Sequence, residues 1–301
     1  MTAPLLSPKS LSRLLDRYRV TSAKGFRLKH YDPADTADVK VGKARAAALL
    51  AEGVTQLAAL QEKLAAQDRW AVLCVFQAID AAGKDGTIKH VMSGVNPAGV
   101  QVTSFKVPGP DELSHDFLWR THRAMPPRGK IGIHNRSHYE EVLVARVHPE
   151  VLAKERLPPE KITKKLWRHR LEDIAAWERY LSHQGFVVLK FFLNVSKGEQ
   201  KKRFLERLDD KEKTWKFSLA DIRERGFWDS YQTAFEEAIA GTASPEAPWF
   251  VVPSDNKWFG HLVVVGAIIE ALHGLDLRVP EPTPEMLEAL EQARKQLEAG
   301  G

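Results

Sequence analysis

The chain has 301 residues, of which 44% are apolar and 28% charged, ordinary values for a soluble globular protein large enough to bury a full core. Its one cysteine, Cys74, excludes an intrachain disulfide, and its longest late apolar run, Leu262 to Ile269, is far shorter than the ~20 residues of a membrane span. A formal charge of +5 admits polyanionic partners such as nucleic acid, nucleotides or phosphate polymers without choosing among them.

In chain order, Met1 to Lys9 has no sustained apolar stretch, so no leader is expected and the cytoplasm is the default location. Residues 1–68 read as a helical extension: an amphipathic helix from Leu11, a basic loop from Lys24 to Lys29, and an Ala/Leu-rich helix from Lys43. A core from 69 to 273 follows. It alternates strand 70–76, helix Lys84 to Gly94, strand Val100 to Phe105, helix Asp111 to Ala124, strand Ile131 to His134 and helix Ser137 to Arg146. A helix from Pro159 to Ser182 comes next, with Ile162, Leu166, Ile174, Trp177 and Leu181 near one face. The run Val187 to Leu193 is too continuously apolar for an edge strand and belongs at the centre of a sheet. A charged segment from 196 to 226, a strand Trp249 to Val252 and a helix Lys257 to His273 close the core. The tail, 274–301, carries a polar helix from Glu281 to Ala299 suited to the surface or to a second subunit, so a homo-oligomer is expected. Alternation of this kind builds a mostly parallel, five-stranded α/β sheet with helices on both faces, a three-layer αβα sandwich.

Ligands in such sheets bind at the C-terminal strand ends. After the first core strand stands Gln77-Ala78-Ile79-Asp80-Ala81-Ala82-Gly83-Lys84-Asp85-Gly86-Thr87, which reads as a phosphate loop entering a helix. It departs from the strict pattern G-x-x-x-x-G-K-[ST] at Ala78 and Asp85. Asp80 and Asp85 set two carboxylates beside an anion site, where like charges at ~4 Å repel by several kcal/mol at an effective dielectric near 20. A divalent cation, Mg²⁺, resolves that conflict, and Thr87 offers a hydroxyl near the missing Ser or Thr. Lys106, then His134-Asn135-Arg136, then Asn194 to Lys197 follow the other strands, so positive groups converge on one edge. From Phe117 to Tyr139 there is no acid at all, while Arg120, Arg123, Arg128, Lys130 and Arg136 lie there. His134, His138 and His148 read as packing groups, hydrogen-bonding groups or weak phosphate contacts rather than metal ligands, and Trp119, Trp167, Trp177 and Trp228 as core.

Asp80 to Thr87, Ser93-Gly94-Val95-Asn96-Pro97, Asn135-Arg136-Ser137-His138-Tyr139-Glu140, Ala247-Pro248-Trp249 and Pro253-Ser254-Asp255-Asn256-Lys257 together resemble the polyphosphate kinase 2 family. Its members are P-loop kinases that move phosphate between inorganic polyphosphate and nucleotides. The resemblance runs from about Lys24 to about His273. It implies a P-loop kinase-like fold with a helical lid over about 196–226, a metal held through Asp80, phosphate held by Lys84 with Ala81, Ala82, Gly83, Asp85, Gly86 and Thr87, and catalysis by Asp80, Lys84, Arg136 and Glu140. Asn135 stands where many members carry a second metal carboxylate. Glu140 resembles the branch that accepts both AMP and ADP, since the ADP-preferring branch has asparagine there. Arg203 and Arg207, on one helical face, with Lys213 and Lys216 near Trp215, are lid cations by the same resemblance. A polyphosphate needs a long positive track, for which Lys89, Arg120 and Arg123 are the candidates. The expected activity is Mg²⁺-dependent transfer between polyphosphate and AMP, ADP or ATP, without a phosphoenzyme. An ATP-dependent nucleoside monophosphate kinase is the nearest rival. A non-enzymatic nucleic-acid binder is the rival of another class, and it leaves the phosphate loop unexplained.

Overall fold

The computed structural model describes residues 6–212 and 218–299. Before the sheet proper come helix α1 (Pro8–Leu15), a two-residue strand β1 (Arg19–Val20) and the long α2 (Lys43–Gln67), which ends on Asp68 in the left-handed conformation. The sheet then alternates as expected: β2 (Ala71–Gln77), α3 (Lys84–Val91), β3 (Val100–Ser104), α4 (Trp119–Arg123), β4 (Ile131–Asn135), α5 (Glu140–Val147), a single turn α6 (Pro149–Leu152), α7 (Leu166–His183) and β5 (Phe186–Asn194). Beyond β5 come α8 (Lys197–Asp209), α9 (Leu219–Glu224), α10 (Trp228–Thr242), β6 (Trp249–Pro253), α11 (Lys257–His273) and α12 (Pro284–Ala299).

The strand order is β1-β6-β5-β2-β4-β3, and every pairing is parallel except that of β1 with β6. The sheet thus has six strands rather than five. Two residues are too few to show any periodicity, and β1 exists because Arg19 and Val20 pair with Phe250 and Trp249 across the sheet. The continuous apolar run in β5 lies between β6 and β2, at the centre, as its composition requires. Helices α1, α2, α3 and α11 cover one face and α5, α7 and α10 the other, so the segment before residue 69 supplies part of one layer. Leu57 and Leu64 of α2 are fully buried there, beneath an α11 whose residues from Phe259 to Ile269 are all buried.

Two helices start later than their hydrophobic spacing suggests. Between Asp111 and Ala124 only a 3-10 turn (Glu112–Ser114) and α4 form, because Glu112 Oε2 accepts from the Gly109 amide and Asp116 Oδ1 from the Leu118 amide. Such local side-chain bonds offer the backbone an alternative to helix. Between Pro159 and Ser182 the helix begins at Leu166, where the Lys165 amide donates to Thr163 Oγ1, and Ile162 is left exposed.

Candidate functional site

Strand β2 delivers Gln77 to the sheet edge, and the chain turns through residues 78–83 into α3. Ala81 (φ +61°) and Gly83 (φ +101°) are left-handed. For alanine that conformation costs about 1–2 kcal/mol, so the surroundings must hold it. At Gly83 a Cβ would meet nothing closer than Arg203 Nη1 at 3.7 Å, so it is the backbone angle, not crowding, that calls for glycine. In the first turn of α3 the amides of Lys84, Asp85 and Gly86 have no intrahelical partner, and they add to the positive end of the helix dipole. Lys84, half-buried, folds back over the loop and donates to Ala78 O at 3.0 Å. Burial, with the Arg136 charge adding to it, pushes its ammonium below the usual lysine range.

Beside the loop, β4 ends at Asn135 and Arg136. The latter is also left-handed (φ +63°), and its amide donates to Phe76 O at 3.1 Å. This aims the Arg136 guanidinium between two carboxylates: Nη2 donates to Asp80 Oδ1 at 3.1 Å and Nη1 to Glu140 Oε2 at 3.0 Å. The Glu140 charge is the main reason that the Arg136 pKa rises further. Asp80 Oδ2 and Glu140 Oε1 have no hydrogen-bond partner among the described residues. Asn135 Nδ2 donates to Asp85 Oδ1 at 2.8 Å, tying the end of β4 to the first turn of α3.

Asp80, Arg136 and Glu140 form one end of an open cleft. Ile79, Leu143, Val144 and Phe235 give it apolar walls, and Gln200, Glu224, Arg225, Trp228 and Tyr231 close the far side. Glu224 Oε2 accepts from Tyr231 Oη at 2.9 Å and pairs with His148 Nε2 at 2.9 Å. The arrangement suits an apolar ring with a polyanionic tail: aromatic walls adjoin a cation, and the cation adjoins the phosphate loop and the first turn of α3.

The structure therefore brings Asp80, Lys84, Arg136, Glu140, Asn135 and the loop residues together. Others lie elsewhere. Arg120, only 8% exposed, is not an open track cation: Nη2 pairs with Glu141 Oε1 at 2.9 Å and Nη1 donates to Lys106 O at 2.8 Å. Arg203, 6% exposed, lies behind the loop and donates to the carbonyls of Ala82 and Ser254 at 2.7 and 2.5 Å. Thr87 is buried and its hydroxyl donates to Gly83 O at 3.1 Å, so it is committed to the helix. Lys89 and Arg123 are exposed, the Arg123 guanidinium 4.7 Å from the centre of the Trp119 ring. Arg207 pairs with Asp221 at 3.4 Å. Lys213, Trp215 and Lys216 lie outside the described residues.

His134 and His138 are wholly buried, which leaves them packing and hydrogen-bonding roles, His134 Nε2 lying 3.2 Å from Ala124 O, and rules out phosphate contact. No group of three or more His, Cys, Asp or Glu fit to hold a metal occurs among the described residues. Trp119, Trp167, Trp177 and Trp228 are half-buried; Trp177 and Trp228 pack against the core, and Trp228 also borders the cleft. Sequence reasoning missed Gln200, Glu224, Arg225, Trp228 and Tyr231. The spacing of Trp228, Tyr231 and Phe235 is that of any core stripe, and only the position of α10 against α5 turns its first residues toward the cleft.

The sequence model of Polyphosphate kinase 2 (PPK2) matches residues 40–279. An ADP-polyphosphate phosphotransferase of Rhodopseudomonas palustris is 50% identical over 250 residues, 83% of this chain and 86% of that protein. An AMP/ADP-polyphosphate phosphotransferase of Meiothermus ruber is 45% identical over 268 residues, 89% of this chain and 96% of that one. The crystal structure of Polyphosphate Kinase 2 from Arthrobacter aurescens TC1 superposes with a TM-score of 0.84 at 38% identity, covering 95% of this chain and 96% of that one. The left-handed loop, its lysine and the arginine between two acids thus sit on a P-loop kinase-like fold, and the chain belongs to the polyphosphate kinase 2 family.

Proposed function

We propose that this protein transfers the terminal phosphoryl group of inorganic polyphosphate to AMP and to ADP, reversibly, through a site centred on Asp80, Lys84, Arg136 and Glu140. The observation that carries the reading is Arg136, held between Asp80 and Glu140 at the junction of loop and cleft. It stands where two polyanions meet. The cleft takes the nucleotide, its base against Trp228 and Tyr231, and the loop amides with Lys84 take the polyphosphate end. Transfer between two phosphates has little covalent chemistry for the protein to perform, so positioning and charge neutralisation dominate. The acceptor oxygen is already anionic, which removes the need for a strong general base. Lys84 and Arg136 neutralise the moving group, and Glu140 orients Arg136.

Asp80 keeps one oxygen without a partner among the described residues, beside the loop, which fits Mg²⁺, an ion that takes one or two carboxylates and completes its shell with phosphates and water. Asp80 would hold it, directly or through water, and the ion would supply further neutralisation of the phosphates. Residues 69–273 form the catalytic core in this reading, α8 and α9 belong to its lid, and 274–301 is a tail. Exposure of Leu287, Leu290 and Leu297 on α12 supports self-association. No helix among the described residues is long and apolar enough to cross a membrane, in keeping with a cytoplasmic enzyme.

Purified protein offered AMP with either long-chain polyphosphate or ATP tests the donor. ADP formed from polyphosphate supports the assignment. ADP formed from ATP alone replaces it with a nucleoside monophosphate kinase.

A further inference from the structure

Three consecutive carbonyls of the phosphate loop face one side of α8. Gln200 Nε2 donates to Asp80 O at 2.8 Å, and Arg203 Nη1 donates to Ala82 O at 2.7 Å and to Ala81 O at 3.4 Å. The rest of the Arg203 guanidinium is used as well: Nη2 donates to Ser254 O and Asp255 O, and Nε to Glu199 Oε1 at 2.9 Å. Both side chains are buried, Gln200 to 3% exposure where it borders the cleft, and the polar ends of both are engaged within the protein.

The consequence follows from peptide planarity. In a trans peptide the C=O and the next N–H point in opposite directions. Drawing the Asp80 and Ala82 carbonyls toward α8 turns the amides of Ala81 and Gly83 away from it. The Ala82 amide between them is used within the loop, donating to Ile79 O at 3.3 Å. The left-handed angles at Ala81 and Gly83 let successive carbonyls face one side, and amides turned to the other side make an anion-binding concavity. Gln200 has a second engagement. Its Oε1 accepts from Arg225 Nη1 at 2.6 Å, and Arg225, which follows α9, lines the cleft. One buried amide therefore links the backbone of Asp80 to the far wall of the nucleotide cleft.

We propose that Gln200 and Arg203 are positioning residues that aim the phosphate-loop amides, and that Gln200 makes this aim depend on the docking of Arg225. The proposal rests on the phosphoryl-transfer reading of the loop. Its test compares the wild type with Gln200→Met, which keeps the side-chain length and removes both hydrogen bonds. Calorimetric titration with inorganic tripolyphosphate and Mg²⁺ is expected to show about tenfold weaker binding, with kcat lowered to a similar extent, KM for AMP within about threefold and Tm nearly unchanged. Gln200→Leu, which likewise removes both hydrogen bonds without adding charge, gives the same comparison where Gln200→Met does not fold. Tripolyphosphate affinity equal to that of the wild type overturns the proposal. So does a joint fall in tripolyphosphate affinity, AMP binding and Tm, which marks general loosening.

The link to Arg225 is tested by Arg225→Lys alone and combined with Gln200→Met. Non-additive losses in kcat are expected, and additive losses contradict the link. If the wild type binds tripolyphosphate yet moves no phosphate from polyphosphate to AMP, the functional reading fails, while the affinity comparison still decides the positioning role.

Discussion

At the residue scale the chemistry is electrostatic, and Lys84 shows the cost of preparing it. Its half-buried ammonium folds back over the loop, where burial and Arg136 both disfavour the charge. Lys84→Met is expected to lower kcat/KM by about three orders of magnitude, the scale on which a preorganised charge acts in a transition state, while Tm stays level or rises because a desolvated cation has gone. Steady-state kinetics with thermal denaturation checks both halves; a large fall in Tm contradicts this account of Lys84. Glu140 holds one side of Arg136, and Glu140→Asn releases it toward Asp80. That variant is expected to lose about tenfold of its AMP rate relative to its ADP rate, measured on the two acceptors separately. Asp80 and Lys84 were legible because a phosphate loop dictates residue types at fixed spacing. Arg203 was legible as a cation but not as a loop clamp, since which carbonyls it meets depends on how α8 lies across the loop.

At the scale of elements, a buried polar network fixes the start of α5, where Glu140 begins. Lys190, fully buried in β5, donates to Glu178 Oε2 of α7 at 2.5 Å and to Thr242 O of α10 at 2.7 Å. Tyr139 Oη lies 2.8 Å from both Glu178 Oε1 and Thr242 Oγ1, and Trp249 Nε1 donates to Thr242 Oγ1 at 2.9 Å. Four elements thus lock the residue preceding Glu140. Removing one charge strands the other: Lys190→Met should cost about 3–5 kcal/mol in urea unfolding, and adding Glu178→Gln should recover most of it. A Lys190→Met loss under about 1 kcal/mol would show that the pair is not desolvated. Strands β2, β5 and β6 were legible because a buried parallel strand leaves a continuous apolar run. The late starts of α4 and α7 were not, because short-range bonds from Glu112, Asp116 and Thr163 compete with helix and leave no periodic trace.

At the scale of the whole molecule, alternation of strand and helix made the layered sheet legible, whereas β1 and the cleft depend on long-range packing. Burial also sets the response to acid. His134 and His261 are pushed down to about 4 by burial, below their ordinary 6.5, so the unfolded chain binds more protons between those values. Their contribution is present above about pH 6.5 and is lost as pH falls toward 4, about 3 kcal/mol for each. Glu141, raised to about 7 by burial, works in the opposite sense: its contribution is present at low pH and lost as pH rises through about 7. Two histidines outweigh one carboxyl, so Tm is expected to fall from pH 7 to pH 4.5. His134→Gln should flatten that fall and Glu141→Gln should steepen it; a flat profile in the wild type contradicts the assignment. The most direct test of the central claim follows a labelled phosphoryl group. With polyphosphate labelled in its phosphorus, AMP and Mg²⁺, the wild type should form ADP and then ATP carrying the label in their terminal phosphoryl groups, and Lys84→Met should form neither. Unlabelled products, or labelled products formed equally well by the variant, would contradict the account.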